Sequence, residues 1–299
     1  MRRCVIGVFL RNTKGLCELK LLSNLSELAD WRAEHTHSSQ PIAFVPTMGN
    51  LHSGHLRLVA RGKAIEPRPM TVVSIFVNPL QFNDPADLAR YPRTLDTDLA
   101  QLRSAGVDAV FVPPVEALLP SAEGAVHIDP GVLALPWEGL ARPGHFTGMA
   151  TIVAKLFNLI RPNFALFGEK DFQQLIIVRQ MVRDLNFPVT LIGVPTERAA
   201  DGLALSSRNR FLTHTERELA PLLYAQLSLA AERISRQESV DAVMHAAHRT
   251  LQTAGFSLEY LTFCDAHTLH ALHEPGPGVL LAAARLGAVR LIDNVQIKR

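Results

Sequence analysis

The sequence predicts an α/β protein, with a helix-covered parallel sheet over about residues 20–199 and a smaller α+β domain over 200–299. Three observations support this. Between residues 42 and 195, apolar runs rich in β-branched side chains alternate with amphipathic stretches, the rhythm of βαβ units. Those runs are continuously apolar, as expected of strands covered on both faces. After residue 200, two long helical stretches are followed by three closely spaced strand-like runs, which suits a compact antiparallel sheet.

Taken in order, residues 42–45 read as a short strand, 53–65 as a helix and 71–77 as a buried strand. Residues 95–104 read as a helix closed by Gly106, where a left-handed residue ends a helix at least cost. A strand follows at 109–112. A helix at 148–160 is stopped by Arg161-Pro162, and then come a strand at 164–167, a helix at 172–185 and a strand at 189–194. Thr213 and Glu216 form a capping-box pattern that opens one long Ala/Leu-rich helix. A further helix at 239–254 ends at Gly255, and strands are expected at 258–263, 279–284 and 289–292.

Composition narrows the function classes. Of 299 residues, 47% are hydrophobic and 19% charged, with a formal net charge of +2, so no overall field marks a nucleic-acid or membrane-surface binder. No apolar run approaches the roughly 20 residues needed to span a bilayer. The three cysteines, Cys4, Cys17 and Cys264, form no CxxC pair and no metal-finger pattern, which suits a reducing, cytoplasmic setting. Residues 1–10 resemble a signal peptide only faintly, and residues 1–19 read as a poorly ordered N-terminal extension.

Four segments carry chemistry. In the first, Met48, Gly49, Asn50, Leu51, His52, Ser53, Gly54 and His55 lie between a strand end and a helix start. Free N–H groups and the helix dipole favour phosphate there. His52 and His55, three apart, share a helix face; a zinc pair or plain surface histidines are the alternative, and a bare HxxH is weak evidence for metal. Gly62-Lys63-Ala64 is not a Walker A ending, and no GxGxxG follows a strand. In the second, Asn78 and Gln81 follow a strand, where amides suit hydroxyls and carboxylates, or else serve a turn around Asn-Pro. In the third, Gly168, Glu169, Lys170, Asp171 and Gln174 span a strand-to-helix junction. Asp171 is a candidate helix cap, and Glu169 a candidate surface partner of Lys170. In the fourth, Leu205, Ser206, Ser207 and Arg208 stand at the expected domain boundary, where hydroxyls and a guanidinium suit an anion.

These segments occur in order, with Tyr91-Pro92-Arg93-Thr94 and Arg142-Pro143-Gly144-His145-Phe146-Thr147-Gly148 between them. The ordered set resembles the pantoate–β-alanine ligase family over about residues 20–298. The resemblance implies a Rossmann-like sheet of the nucleotidyltransferase type and a homodimer acting on pantoate, β-alanine and ATP with Mg²⁺. It implies a pantoyl-adenylate intermediate, released AMP and pyrophosphate. It implies that residues 48–55 bind ATP phosphates, with His55 as proton donor and His52 assisting. Gln81 and Gln174, with Asn78, would be the substrate ligands, the two glutamines holding pantoate and Gln81 also near β-alanine. Gly168, Glu169, Lys170 and Asp171 would meet ribose and phosphate, residues 205–208 would clamp the triphosphate, and Asp98 would serve Mg²⁺. Lys170, Ser206 and Arg208 would join the histidines in catalysis. Glu197 departs from the family's uncharged residue beside adenine, and its side chain is expected to point to solvent, because a carboxylate buried against a base is unfavourable. Two other readings are a nucleotidyltransferase acting on a phosphorylated acceptor, which would not need paired amides, and a catalytically silent nucleotide sensor.

Overall fold

A computed structural model describes residues 19–36, 40–119 and 125–298. Six parallel strands form the first sheet: β1 (Lys20–Leu22), β2 (Ile42–Thr47), β3 (Met70–Ile75), β4 (Ala109–Phe111), β5 (Phe164–Gly168) and β6 (Thr190–Val194), in the order β1-β4-β3-β2-β5-β6. β7 (Ser257–Cys264), β8 (Gly278–Leu286) and β9 (Val289–Ile297) form an antiparallel sheet in sequence order. The N-terminal extension expected at 1–19 lies outside the described residues except for Leu19, which is buried.

Strand alternation sorts the apolar side chains onto two faces. Phe44, Val72 and Phe111 pack on one face against the helices His145–Ile160 and Phe172–Asp184. Ala43, Val45, Val73 and Val110 pack on the other against Leu58, Val59 and Leu102. Both faces are covered, which is why these strands carry no polar alternation. The second sheet is sorted in the same way. Phe263 and Leu280 pack on the helices Leu222–Ser235 and Val240–Thr253, while Cys264 and Leu281 join the core of the first sheet.

The expected helix at 95–104 is present as Leu95–Ser104, and Gly106 follows it at φ +67°. One expectation fails. The capping box of Thr213 and Glu216 opens only the short helix His214–Leu219, and a separate helix begins at Leu222. Pro221 lies between them; it lacks an N–H and its ring would clash one turn back. β1 and the helix Leu25–Thr36 precede the legible rhythm, because three residues are too few to show a strand period.

From β2 the chain moves outward through β3 and β4, then returns to place β5 on the other side of β2. This reversal opens a crevice at the carboxyl ends of β2 and β5, where ligands bind in open α/β sheets. No described helix is long and apolar enough to cross a membrane.

Candidate active site

The turn after β2 is held from below. Thr47 Oγ1 donates to the Ser74 carbonyl at 2.7 Å and accepts from Gly49 N–H at 3.2 Å. Gly49 and Asn50 then take left-handed conformations, φ +78° and +50°. Asp98, 1% exposed on the helix Leu95–Ser104, accepts from Asn50 N at 2.9 Å, from Leu51 N at 2.8 Å and from Thr94 Oγ1 at 3.1 Å. A Cβ on Gly49 would lie 3.1 Å from Asp98 Oδ2, a tight contact added to the strain of a positive φ, so the turn favours glycine. Asp98, expected to serve Mg²⁺, is buried here, and its carboxylate accepts three hydrogen bonds that shape the turn. Among the described residues, no group of three His, Cys, Asp or Glu side chains could hold a metal ion.

The helix Ser53–Lys63 starts with a capping box made of two histidines. His52 Nδ1 accepts from Gly54 N at 3.2 Å, and His55 Nδ1 accepts from His52 N at 3.3 Å. A ring nitrogen that accepts from an N–H carries no proton, so each neutral imidazole has its hydrogen on Nε2. The cap therefore leaves both Nε2–H groups as donors, with the rings 4.1 Å apart. A Cβ on Gly54 would lie 2.9 Å from the His52 ring, which explains a glycine between them. Burial, the neighbouring His52 and Lys170 lower His55 to about 3. Burial and Lys170 lower His52 as well. Both are neutral hydrogen-bond donors at physiological pH rather than stored protons.

The opposite wall comes from the turn after β5. Gly168, Lys170 and Asp171 line the cleft, as does Gln174 one turn into the next helix. Asp171 makes no capping hydrogen bond, so its carboxylate is not spent on the helix end. Glu169 departs from expectation: it does not line the cleft, and its Oε1 lies 3.0 Å from where a Gly193 Cβ would be, over β6. It also forms no ion pair with Lys170. Gln173, next to Gln174, is buried and spent on structure, donating to the Leu133 and Pro136 carbonyls and accepting from Glu138 N.

The third wall is the turn Pro79–Gln81. Asn78 is 1% exposed; its Oδ1 accepts from Leu80 N at 3.1 Å and its Nδ2 donates to the Gly148 carbonyl at 3.0 Å. Expected as a substrate ligand, Asn78 instead caps the turn and ties it to the helix His145–Ile160. The Gln81 backbone carbonyl accepts from Arg142 Nη2 at 2.7 Å and pairs with His145 Nδ1 at 3.0 Å. The side-chain amides of Gln81 and Gln174 both face the cleft, with no hydrogen-bond partner among the described residues. Burial and Arg142 lower His145 to about 4.

Residues 205–208 close the fourth side. Ser206 caps a short turn by accepting from Arg208 N at 3.3 Å, and Arg208 Nη2 meets Asp87 Oδ2 at 3.2 Å. Glu197 reaches the rim, 29% exposed, where Arg57 Nη1 meets it at 2.8 Å; it is neither deeply buried nor unpaired. Met48, His52, Gly54 and His55 face the cleft, whereas Gly49, Asn50, Leu51 and Ser53 build the turn behind them.

A sequence profile described as pantoate-beta-alanine ligase matches residues 20–296. The chain belongs to the pantoate–beta-alanine ligase family. A crystal structure of pantothenate synthetase from Thermus thermophilus shares 44% identity with this chain, with TM-score 0.86 and 94% and 100% of the two chains covered. A pantoate-beta-alanine ligase from Francisella tularensis, complexed with beta-gamma ATP and beta-alanine, shares 34% identity at TM-score 0.77, covering 94% of this chain and 98% of its own. Membership makes the chain an ATP-dependent acid–amino-acid ligase that forms pantothenate from pantoate and beta-alanine through a pantoyl adenylate.

Some lining residues carried no assigned role in the sequence. Arg142 and His145 lie in the quoted segment 142–148, and Tyr91 in 91–94, but their part became visible only with the carbonyl of Gln81 and the cleft wall in place. Phe76, Met149 and Val153 form an apolar wall that reads in sequence as ordinary core.

Two outcomes are expected. In the unfolded chain histidines take up protons near pH 6.5, whereas folded His55 and His145 do so only near about 3 and about 4. Their contribution to stability is therefore complete above about pH 6.5 and is lost as pH falls toward 4, so thermal midpoints should drop across that window and less steeply in His145→Asn. An unchanged slope in that variant would remove His145 as a source. Asp98→Asn should lower ATP turnover by roughly 10-fold or more, because each lost charged hydrogen bond costs about 1.5–3 kcal/mol. Raising magnesium should not rescue it; rescue would restore Asp98 as a metal ligand.

Proposed function

We propose that the four walls divide the chemistry of one cleft. The observation that carries this reading is that two Nε2–H donors and Lys170 face, across one cavity, two amides with no partner among the described residues. In the first step a carboxylate oxygen of pantoate bonds to the α-phosphorus of ATP and pyrophosphate leaves. The imidazoles of His52 and His55, with Lys170, stabilise charge on the phosphate oxygens, and Ser206, Ser207 and Arg208 hold the departing end. Gln81 and Gln174 bind the hydroxyls and carboxylate of pantoate, and Phe76, Met149 and Val153 suit its two methyl groups. In the second step the beta-alanine nitrogen bonds to the acyl carbon, AMP leaves, and the nitrogen gives up its proton. Asp171 and Gly168 are assigned to the ribose, and residues 194–197 to the base through their backbone. Mg²⁺ is expected to accompany ATP, but Asp98 does not fit as its ligand and no step is routed through the ion.

Membership of the family and the sparse cysteines, with no CxxC spacing among them, support a cytoplasmic setting. A homodimer is supported by exposed apolar side chains along residues 126–140: Val126, Val132, Leu135 and Leu140 are 89%, 74%, 68% and 78% exposed. Nothing in the composition supports a nucleic-acid or membrane partner.

AMP formation should require ATP, pantoate and beta-alanine together, while ATP–pyrophosphate exchange should require only the first two. Exchange without pantoate would favour transfer to another acceptor. Gln174→Ala should raise KM for pantoate roughly 10- to 100-fold and leave KM for ATP near its original value; a parallel rise in both would mean that the residue holds the shape of the site. Leu140→Asp should sediment as a monomer, and an undisturbed dimer would take this surface out of the interface.

A further inference from the structure

We infer that Asn294, on β9 of the second sheet, is a positioning residue for Lys170. The turn at residues 169–170 is tethered on both sides. Glu169 N–H donates to the Val194 carbonyl of β6 at 2.8 Å. Asn294 Nδ2 donates to both successive carbonyls of the turn, Glu169 O at 2.8 Å and Lys170 O at 3.0 Å. One side-chain amide thus holds the peptide planes on both sides of the Lys170 Cα and fixes the direction in which the lysine leaves the backbone. Asn294 is 7% exposed, so water does not compete for these bonds. Its neighbour Asp293 is anchored separately by Arg198, at 2.7 and 2.8 Å, and also accepts from Asn294 N at 2.8 Å. Arg198 also stacks over Tyr224, 3.4 Å from its ring centre. The place of Lys170 therefore depends on β9, 124 residues away in sequence.

This inference rests on the reading that Lys170 faces the phosphates, and a double-mutant cycle separates the two. Asn294→Asp keeps the size but turns a donor into an acceptor facing two carbonyls. It should reduce the rate of ATP–pyrophosphate exchange roughly 10- to 100-fold, with KM for pantoate nearly unchanged. Asn294→Ser, which keeps one donor, should recover part of the rate and serves if the aspartate variant does not fold. In a Lys170→Ala background either Asn294 change should cost almost nothing further. Losses that multiply in the double variant, or Asn294 variants at full rate, would overturn the inference while leaving Lys170 in its role. A Lys170→Ala enzyme at full rate would overturn the role of Lys170 and the inference with it.

Discussion

The carboxylate of Asp98 is the contact on which the rest of the cleft depends. A chain leaving β2 must turn sharply to start the next helix, and here two consecutive residues adopt left-handed backbone. That conformation is cheap for Gly49, less so for Asn50, and it directs the N–H groups of Asn50 and Leu51 into the protein. Without an acceptor they would be buried and unpaired. Asp98 supplies both acceptor oxygens and so fixes where the helix Ser53–Lys63 begins. Helix start, capping histidines and the cleft-facing imidazoles follow from that one placement.

A second constraint joins the two sheets. Glu138 is buried between Arg142 at 3.1 Å and a bidentate Arg290 at 2.8 and 2.7 Å, and accepts from the Tyr260 hydroxyl at 3.1 Å. Burial alone would raise its carboxyl, but hydrogen bonds and charge from Arg290 and Arg142 hold it at about 2. Such a network contributes little net stability once desolvation is counted, yet breaking one partner leaves an uncompensated charge. Its value lies in geometry. Arg142 also grips the Gln81 carbonyl, so β9 is linked to the backbone of a cleft-lining residue through the side chains of Arg290, Glu138 and Arg142. β9 thus reaches the cleft twice, here and through Asn294.

Adjacent residues of the same chemistry separate what was legible from what was not. Gln173 and Gln174 are both amides on one helix, but the first is consumed by backbone partners and the second faces the cleft. Asn78 and Gln81 sit on one turn, and only Gln81 has its amide to spare. Glu169 and Lys170 share a turn, and one side chain crosses β6 while the other enters the cavity. Side-chain type marks these segments as candidates. Which member serves a ligand depends on partners up to 70 residues distant.

The sequence by itself determined the α/β class, because covered parallel strands must be apolar on both faces and so leave a pattern that local composition shows. It also marked the turn after β2 as a candidate site, since a glycine-bearing strand-to-helix junction with two histidines one helical turn apart is a local feature, and those histidines do line the cleft. The tertiary structure alone decided the work of Asp98, Asn78 and Glu169, the single proton-bearing nitrogen on each capping histidine, and the reach of β9 into the cleft. These rest on long-range hydrogen bonds, whose partners are set by strand order and burial and leave no periodic trace along the chain.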